Sequence, residues 1–111
     1  MGRNNQYQIE NKLDGYNEIQ IPDWDNAKKL TVTNSDFVIS DFGLIVGSFY
    51  SNQNRTYLVV NGVNVSCAGN INNSFGWDGQ VQLEVRQGDI IKFSSTQYAT
   101  VNIWFVPYKQ Y

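Results

Sequence analysis

Few residues of this chain have the chemistry that catalysis requires. The sequence contains one cysteine and no histidine, so a Ser-His-Asp set, a Cys-His pair and a histidine-ligated zinc ion cannot be assembled from it. Asp23 and Asp25 flank Trp24, and paired carboxylates are the chemistry of glycoside hydrolysis. Two aspartates two positions apart in an extended segment lie too close together to flank a substrate, which favours a solvated turn. We therefore predict no catalytic residue, no cofactor and no enzymatic activity.

Metal binding has equally little support in the sequence. Asp78 and Asp89 each stand beside a glycine, and Asp41 stands two positions before one, which is typical of aspartates in turns. Loop carboxylates and carbonyl groups are the ligands that calcium prefers, but no spacing in this chain predicts such a site. We predict no metal-binding residue and leave calcium open.

The strongest candidate for ligand binding is a long loop predicted between Ala68 and Gly79. Its candidate residues are Asn70, Asn72, Asn73, Phe75, Trp77 and Asp78. Aromatic rings stack on the faces of sugars, and amides bond to hydroxyl groups. In the alternative interpretation, Phe75 and Trp77 fold inward and close one end of the protein. A second candidate set near another strand end comprises Asn52, Asn54, Arg55 and Tyr57.

The elements that must position these residues are β-strands. Apolar residues alternate with polar ones at Val81, Leu83 and Val85, and a period of two indicates a strand covered on one face. The pairs Asn61-Gly62 and Gly88-Asp89 stand between such runs and predict tight turns. We expect an all-β fold, an antiparallel β-sandwich of the jelly-roll type with about eight to ten short strands.

Charge and length restrict the classes of partner. The net charge is −2 and the basic residues are scattered, whereas nucleic-acid binding needs clustered Lys and Arg. No apolar run approaches the roughly 20 residues that span a bilayer, and the polar start does not resemble a signal peptide. We expect a flexible or arm-like segment over residues 1–17 and a single β-sandwich domain over 18–111.

The last predicted strand carries apolar residues on both faces. Val101, Ile103 and Phe105 share one face, while Trp104, Val106 and Tyr108 share the other. Because large apolar patches usually mark interfaces, we predict that the second set contacts another copy of the chain. The alternative is that Tyr7 and Ile9 of the N-terminal segment cover it. Cys67 follows Val63 and Val65 at the same period, which predicts a small buried side chain.

Several local sequences occur together in one order. Ile21-Pro22-Asp23-Trp24 precedes a Lys-Lys-Leu-Thr-Val strand, Ser40-Asp41-Phe42-Gly43 precedes a Leu-Ile-Val-Gly strand, and Phe105-Val106-Pro107-Tyr108 closes the chain. Between residues 21 and 108 this arrangement resembles the small jelly-roll domains at the tips of bacteriophage tail fibres. Those domains are similar in shape to the trimeric heads of the complement and tumour-necrosis-factor family.

The resemblance implies a homotrimer in the virion tail, with the closing strand near the threefold axis and loops that contact a host-surface carbohydrate or protein. Avidity among three weak contacts would supply attachment without catalysis. Two other functions stay open. One is a bacterial lectin-like module, which would bind sugar as an isolated domain; the other is a structural trimerising cap, which would bind no ligand.

Overall fold

A computed structural model of the chain describes residues 20–71 and 75–110, which form nine β-strands and one 3₁₀ turn, Trp24–Asn26. The strands are β1 (Lys28–Lys29), β2 (Phe37–Val38), β3 (Gly43–Ser51), β4 (Asn54–Val60), β5 (Val63–Ile71), β6 (Phe75–Trp77), β7 (Gly79–Val85), β8 (Ile90–Phe93) and β9 (Tyr98–Pro107). The predicted arm over residues 1–17 lies outside the described residues.

The strands form two antiparallel sheets. The four-stranded sheet has the order β1-β9-β3-β7, and the five-stranded sheet has the order β2-β8-β4-β5-β6. Apart from β6, strands pair in order from the two ends of the sequence towards its middle. The pairs are β1 with β9, β2 with β8, β3 with β7 and β4 with β5. This nested pairing is a long hairpin wrapped into a sandwich, which is the jelly-roll arrangement. The predicted fold class and the number of strands are confirmed.

The core lies between the two sheets and is filled by alternating residues of the central strands. Ile45, Leu58 and Ile103 are fully buried. The Phe49 and Phe93 rings pack with their centroids 5.0 Å apart, within the range of favourable aromatic pairs. The core therefore reaches across β3, β4, β8 and β9 and gives both sheets a common support.

Strand β5 contains one residue more than its partner. Leu58 pairs with Ser66 and Val59 with Asn64, so Val65 is left without a partner residue, as in a β-bulge. The extra residue reverses which side chains face the core. Ala68 is fully buried, whereas Cys67 is half-buried and lies opposite Tyr57 on the outer face. The predicted core position of Cys67 is wrong for this reason.

The predicted loop between Ala68 and Gly79 is also wrong in part. Strand β5 continues to Ile71, and β6 runs back beside it from Phe75 to Trp77. These residues form the edge of the five-stranded sheet. Phe75 and Trp77 are therefore held by strand pairing.

Two tight turns of the sandwich are bonded to each other. Asn61 and Gly62 have positive φ values of 50° and 80°, as a type I′ turn requires. The Asn61 Nδ2 donates to Asp89 Oδ1 at 3.0 Å, and Asn61 Oδ1 accepts from the Ile90 backbone N–H at 2.9 Å. Asp89 Oδ2 also accepts from the Arg86 backbone N–H at 2.8 Å. The turns between β4 and β5 and between β7 and β8 are thus fixed together.

The hydrogen bonds from the Asn61 side chain and then from the Arg86 backbone N–H lower the pKa of Asp89. Because its pKa in the folded protein lies below that in the unfolded chain, Asp89 stabilises the fold at pH values above the ordinary aspartate pKa. That stabilisation is lost as the pH falls through the lowered pKa.

We predict that Asn61→Asp reverses this pH dependence. The new carboxylate keeps the acceptor for Ile90 but faces Asp89, so at pH 7 the hydrogen bond to Asp89 is replaced by charge repulsion and the free energy of unfolding falls. The loss should shrink on acidification, as protonation of either carboxyl restores a donor. Urea unfolding between pH 3 and 7 measures it, with Asn61→Gly as the control that keeps the turn without the added charge. Parallel pH curves for wild type and Asn61→Asp would contradict the prediction.

Candidate ligand-binding surface

One row of residues crosses β4, β5 and β6 on the outer face of the five-stranded sheet. Arg55 pairs with Gly69, and Gly69 pairs with Trp77. Residues directly opposite each other in antiparallel strands share a face. Since the neighbouring Thr56 and Ala68 are fully buried in the core, Arg55, Gly69 and Trp77 face away from it.

The Trp77 ring is seated on the backbone of Gly69. A Cβ atom at Gly69 would overlap the Cη2 and Cζ2 atoms of Trp77, so the ring occupies the space that a side chain would need. The indole Nε1 donates to the Cys67 carbonyl oxygen at 3.1 Å. Trp77 is half-buried as a result. Its orientation is fixed by one hydrogen bond and one close approach.

Arg55 and Phe75 are the two neighbours of this ring. The Arg55 Cζ lies 5.9 Å from the Trp77 ring centroid, within the range of a cation–π contact. The Phe75 ring centroid lies 5.8 Å from that of Trp77, with the planes inclined by 50°. Phe75 is 65% exposed. We call Arg55, Phe75 and Trp77 the aromatic surface.

Two sets of candidate residues were distant in the sequence, one in the segment 68–79 and the other between Asn52 and Tyr57. Members of both sets lie at this surface. The Asn70 Nδ2 donates to the Asn52 carbonyl oxygen at 3.3 Å, which ties the end of β5 to the turn before β4. Tyr57 is half-buried one row away from Arg55 on the same face. Asp78 is exposed at the end of β6. Asn72 and Asn73 lie outside the described residues.

Gly69, the residue on which Trp77 rests, is not among the candidate residues predicted from the sequence. Counting back from the Asn61-Gly62 turn without the bulge would pair Arg55 with Ala68. The observed partner is Gly69. An isolated glycine in a strand indicates a close approach of another group, and this was the available clue.

The three predicted interface residues differ in their exposure to solvent. Val106 is fully buried and Tyr108 is 8% exposed within the single chain, whereas Trp104 is 40% exposed. The Tyr108 ring packs against Phe42 with a centroid distance of 4.8 Å, and its hydroxyl donates to Glu84 Oε2 at 3.1 Å. The expectation that all three form one open face is corrected, because Val106 and Tyr108 are buried within the chain. Trp104 is the exposed member.

Tyr108 is a buried hydrogen-bond donor. Burial, and then the hydrogen bond to the Glu84 carboxylate, raise the pKa of its hydroxyl. It therefore stays protonated in the folded protein to a higher pH than in the unfolded chain.

Asp23, one of the two carboxylates that flank Trp24, is bonded to a residue of the 3₁₀ turn. Asp23 Oδ2 accepts a hydrogen bond from the side-chain amide (Nδ2) of Asn26 at 2.7 Å, and this bond stabilises the 3₁₀ turn. Among residues 20–71 and 75–110, no three His, Cys, Asp or Glu side chains converge as metal ligands would. Nor does this part of the chain contain an apolar helix of membrane-spanning length.

Comparison with models of protein families, with curated proteins and with solved structures returns no match for this chain.

We predict that Gly69→Ala displaces Trp77. The added methyl group overlaps the indole, and overpacking of this kind costs about 1–3 kcal/mol. Denaturant unfolding measures the change in the free energy of unfolding. The matched control is the same substitution in a Trp77→Ala background, where most of the cost should vanish because the overlapping ring is gone. Additive effects of the two substitutions would show that Trp77 does not rest on Gly69.

Proposed function

We propose that this chain is a non-enzymatic attachment module of the phage tail-fibre tip type, which binds host-surface carbohydrate through the aromatic surface. The observation that carries the proposal is the 65% exposure of Phe75 beside the half-buried Trp77. Aromatic rings offer large apolar area and lose little conformational freedom when a ligand binds. Sugar rings stack on such groups.

The support beneath the two rings favours binding. Phe75 and Trp77 belong to β6, and each pairs with a residue of β5. Binding groups on strands are placed more precisely than groups on loops. Less ordering is then required when a ligand binds, which raises the affinity.

Association of copies is the second part of the proposal, with a homotrimer as the expected assembly. Trp104 lies between Val46 and Lys29 on the outer face of the four-stranded sheet, while the aromatic surface lies on the five-stranded sheet. Copies that meet through Trp104 would leave every aromatic surface free. Several weak sites on one rigid assembly then act together by avidity.

We predict that Phe75→Ala abolishes binding to an array of surface glycans. The substitution removes the most exposed ring of the aromatic surface, with little effect on the core. The matched control is Trp24→Ala, since Trp24 is 59% exposed and follows Asp23, whose backbone N–H donates to the Pro107 carbonyl oxygen. The aromatic surface is near the other end of β9, where Tyr98 pairs with Ser51. Equal loss in both variants, or no glycan binding by the wild type, would contradict a sugar site at Phe75.

We predict that Trp104→Asp reduces the mass in solution from three chains to one. A carboxylate at this position, even beside Lys29, would lose its hydration in any interface that contains it, and this desolvation is costly. Light scattering after size exclusion measures the mass, and circular dichroism checks the fold. Val63→Asp is the control, because Val63 is also exposed, at 61%, but lies in the hairpin of the other sheet. A folded Trp104→Asp protein with the wild-type mass would remove Trp104 from the interface.

A further inference from the structure

We infer that the aromatic surface takes a carboxylate-bearing saccharide, such as a uronic acid, and that Arg55 binds its carboxylate. This inference rests on the proposed function and names the ligand class of the same site. A neutral sugar would use the rings of Phe75 and Trp77 but would leave the guanidinium without an anion.

The N–H donors of the Arg55 guanidinium have no acceptor among the described residues. The ion pairs formed by the described residues are Arg86 with Glu84 and Lys92 with Asp36. Arg55 contributes to neither, and its side chain makes no hydrogen bond to another described residue. Its contact within residues 20–71 and 75–110 is the Trp77 ring. A guanidinium carries five N–H donors in a planar fork and matches the two oxygens of a carboxylate.

The position of Arg55 suits a ligand that stacks on the neighbouring rings. Trp77 has Arg55 within 5.9 Å and Phe75 within 5.8 Å of its centroid. A sugar placed on these rings therefore lies within reach of the guanidinium. The contact with Trp77 also limits the rotamers of Arg55, so less side-chain entropy is lost when a carboxylate binds.

The chemistry favours a carboxylate over other groups at this position. Arg55 supplies a positive charge within an otherwise apolar trio. Bidentate arginine–carboxylate pairs are among the stronger hydrogen-bonded contacts. Exposed ion pairs are weakened by water and by salt, so we expect a modest preference of about twofold to fivefold for the acidic sugar.

The test compares matched sugars that differ at one carbon. Methyl glycosides of glucose, galactose and mannose are titrated against the corresponding uronates, and the Trp77 indole N–H is followed by NMR. We expect the wild type to bind at least one uronate about twofold to fivefold more tightly than its neutral counterpart. The ratio of the uronate affinity to the neutral-sugar affinity should fall towards one as the salt concentration is raised, because the charges are exposed.

Substitutions at Arg55 test whether its guanidinium is the group that binds the carboxylate. Arg55→Gln should remove the preference while keeping the neutral sugar bound, since the rings are untouched. Arg55→Lys should keep a weaker preference, because an ammonium group retains the charge but lacks the planar fork. Arg86→Gln is the control, since Arg86 is exposed on the other sheet beside Phe42, and it should leave the preference unchanged.

The outcomes separate the inference from the proposed function. Equal affinity for neutral and acidic sugars, with both lost in Phe75→Ala, overturns the carboxylate assignment and supports a sugar site. A preference that survives Arg55→Gln, or tighter binding of glucose 6-phosphate than of any uronate, also overturns it. Absence of binding to every sugar overturns the inference and the sugar site together.

Discussion

The extra residue in β5 is the constraint on which the candidate surface depends. Because Val65 has no partner in β4, every residue that follows it changes face relative to the turn. Ala68 then fills the core and Gly69 faces outward. A larger residue at that position would leave no room for the Trp77 ring. The bulge, the glycine and the tryptophan therefore act as one unit, and Arg55 and Phe75 are arranged around it.

The jelly roll places two exposed features on different sides of the molecule. The five-stranded sheet presents the aromatic surface, and the four-stranded sheet presents Trp104. Both sheets share one core, in which Phe49 and Phe93 are in contact. A ligand-binding face and an association face can thus occupy the same small sandwich without competing. This division is the physical basis for joining carbohydrate binding and avidity in one proposal.

Much of the fold could be predicted from the sequence, because turn residues and alternation are local signals. Asn61-Gly62 and Gly88 have the positive φ values that tight turns require. The bulge has no comparable local signal, so the sequence predicts Cys67 in the core. The Asn and Gly content of the segment after Ala68 predicts a loop, although part of this segment pairs as strands. The cover over Tyr108 comes from Phe42 and Glu84, which are distant in sequence, and alternation alone does not reveal such contacts.

The contact of the Trp77 ring with Gly69 fixes the aromatic surface. A proton NMR spectrum of the free protein tests it directly through the environment of the Gly69 α protons. We expect nuclear Overhauser contacts between these protons and the benzo ring of Trp77, together with an upfield shift caused by the ring current. Gly69 α protons at ordinary shifts, without contacts to the indole, would contradict it.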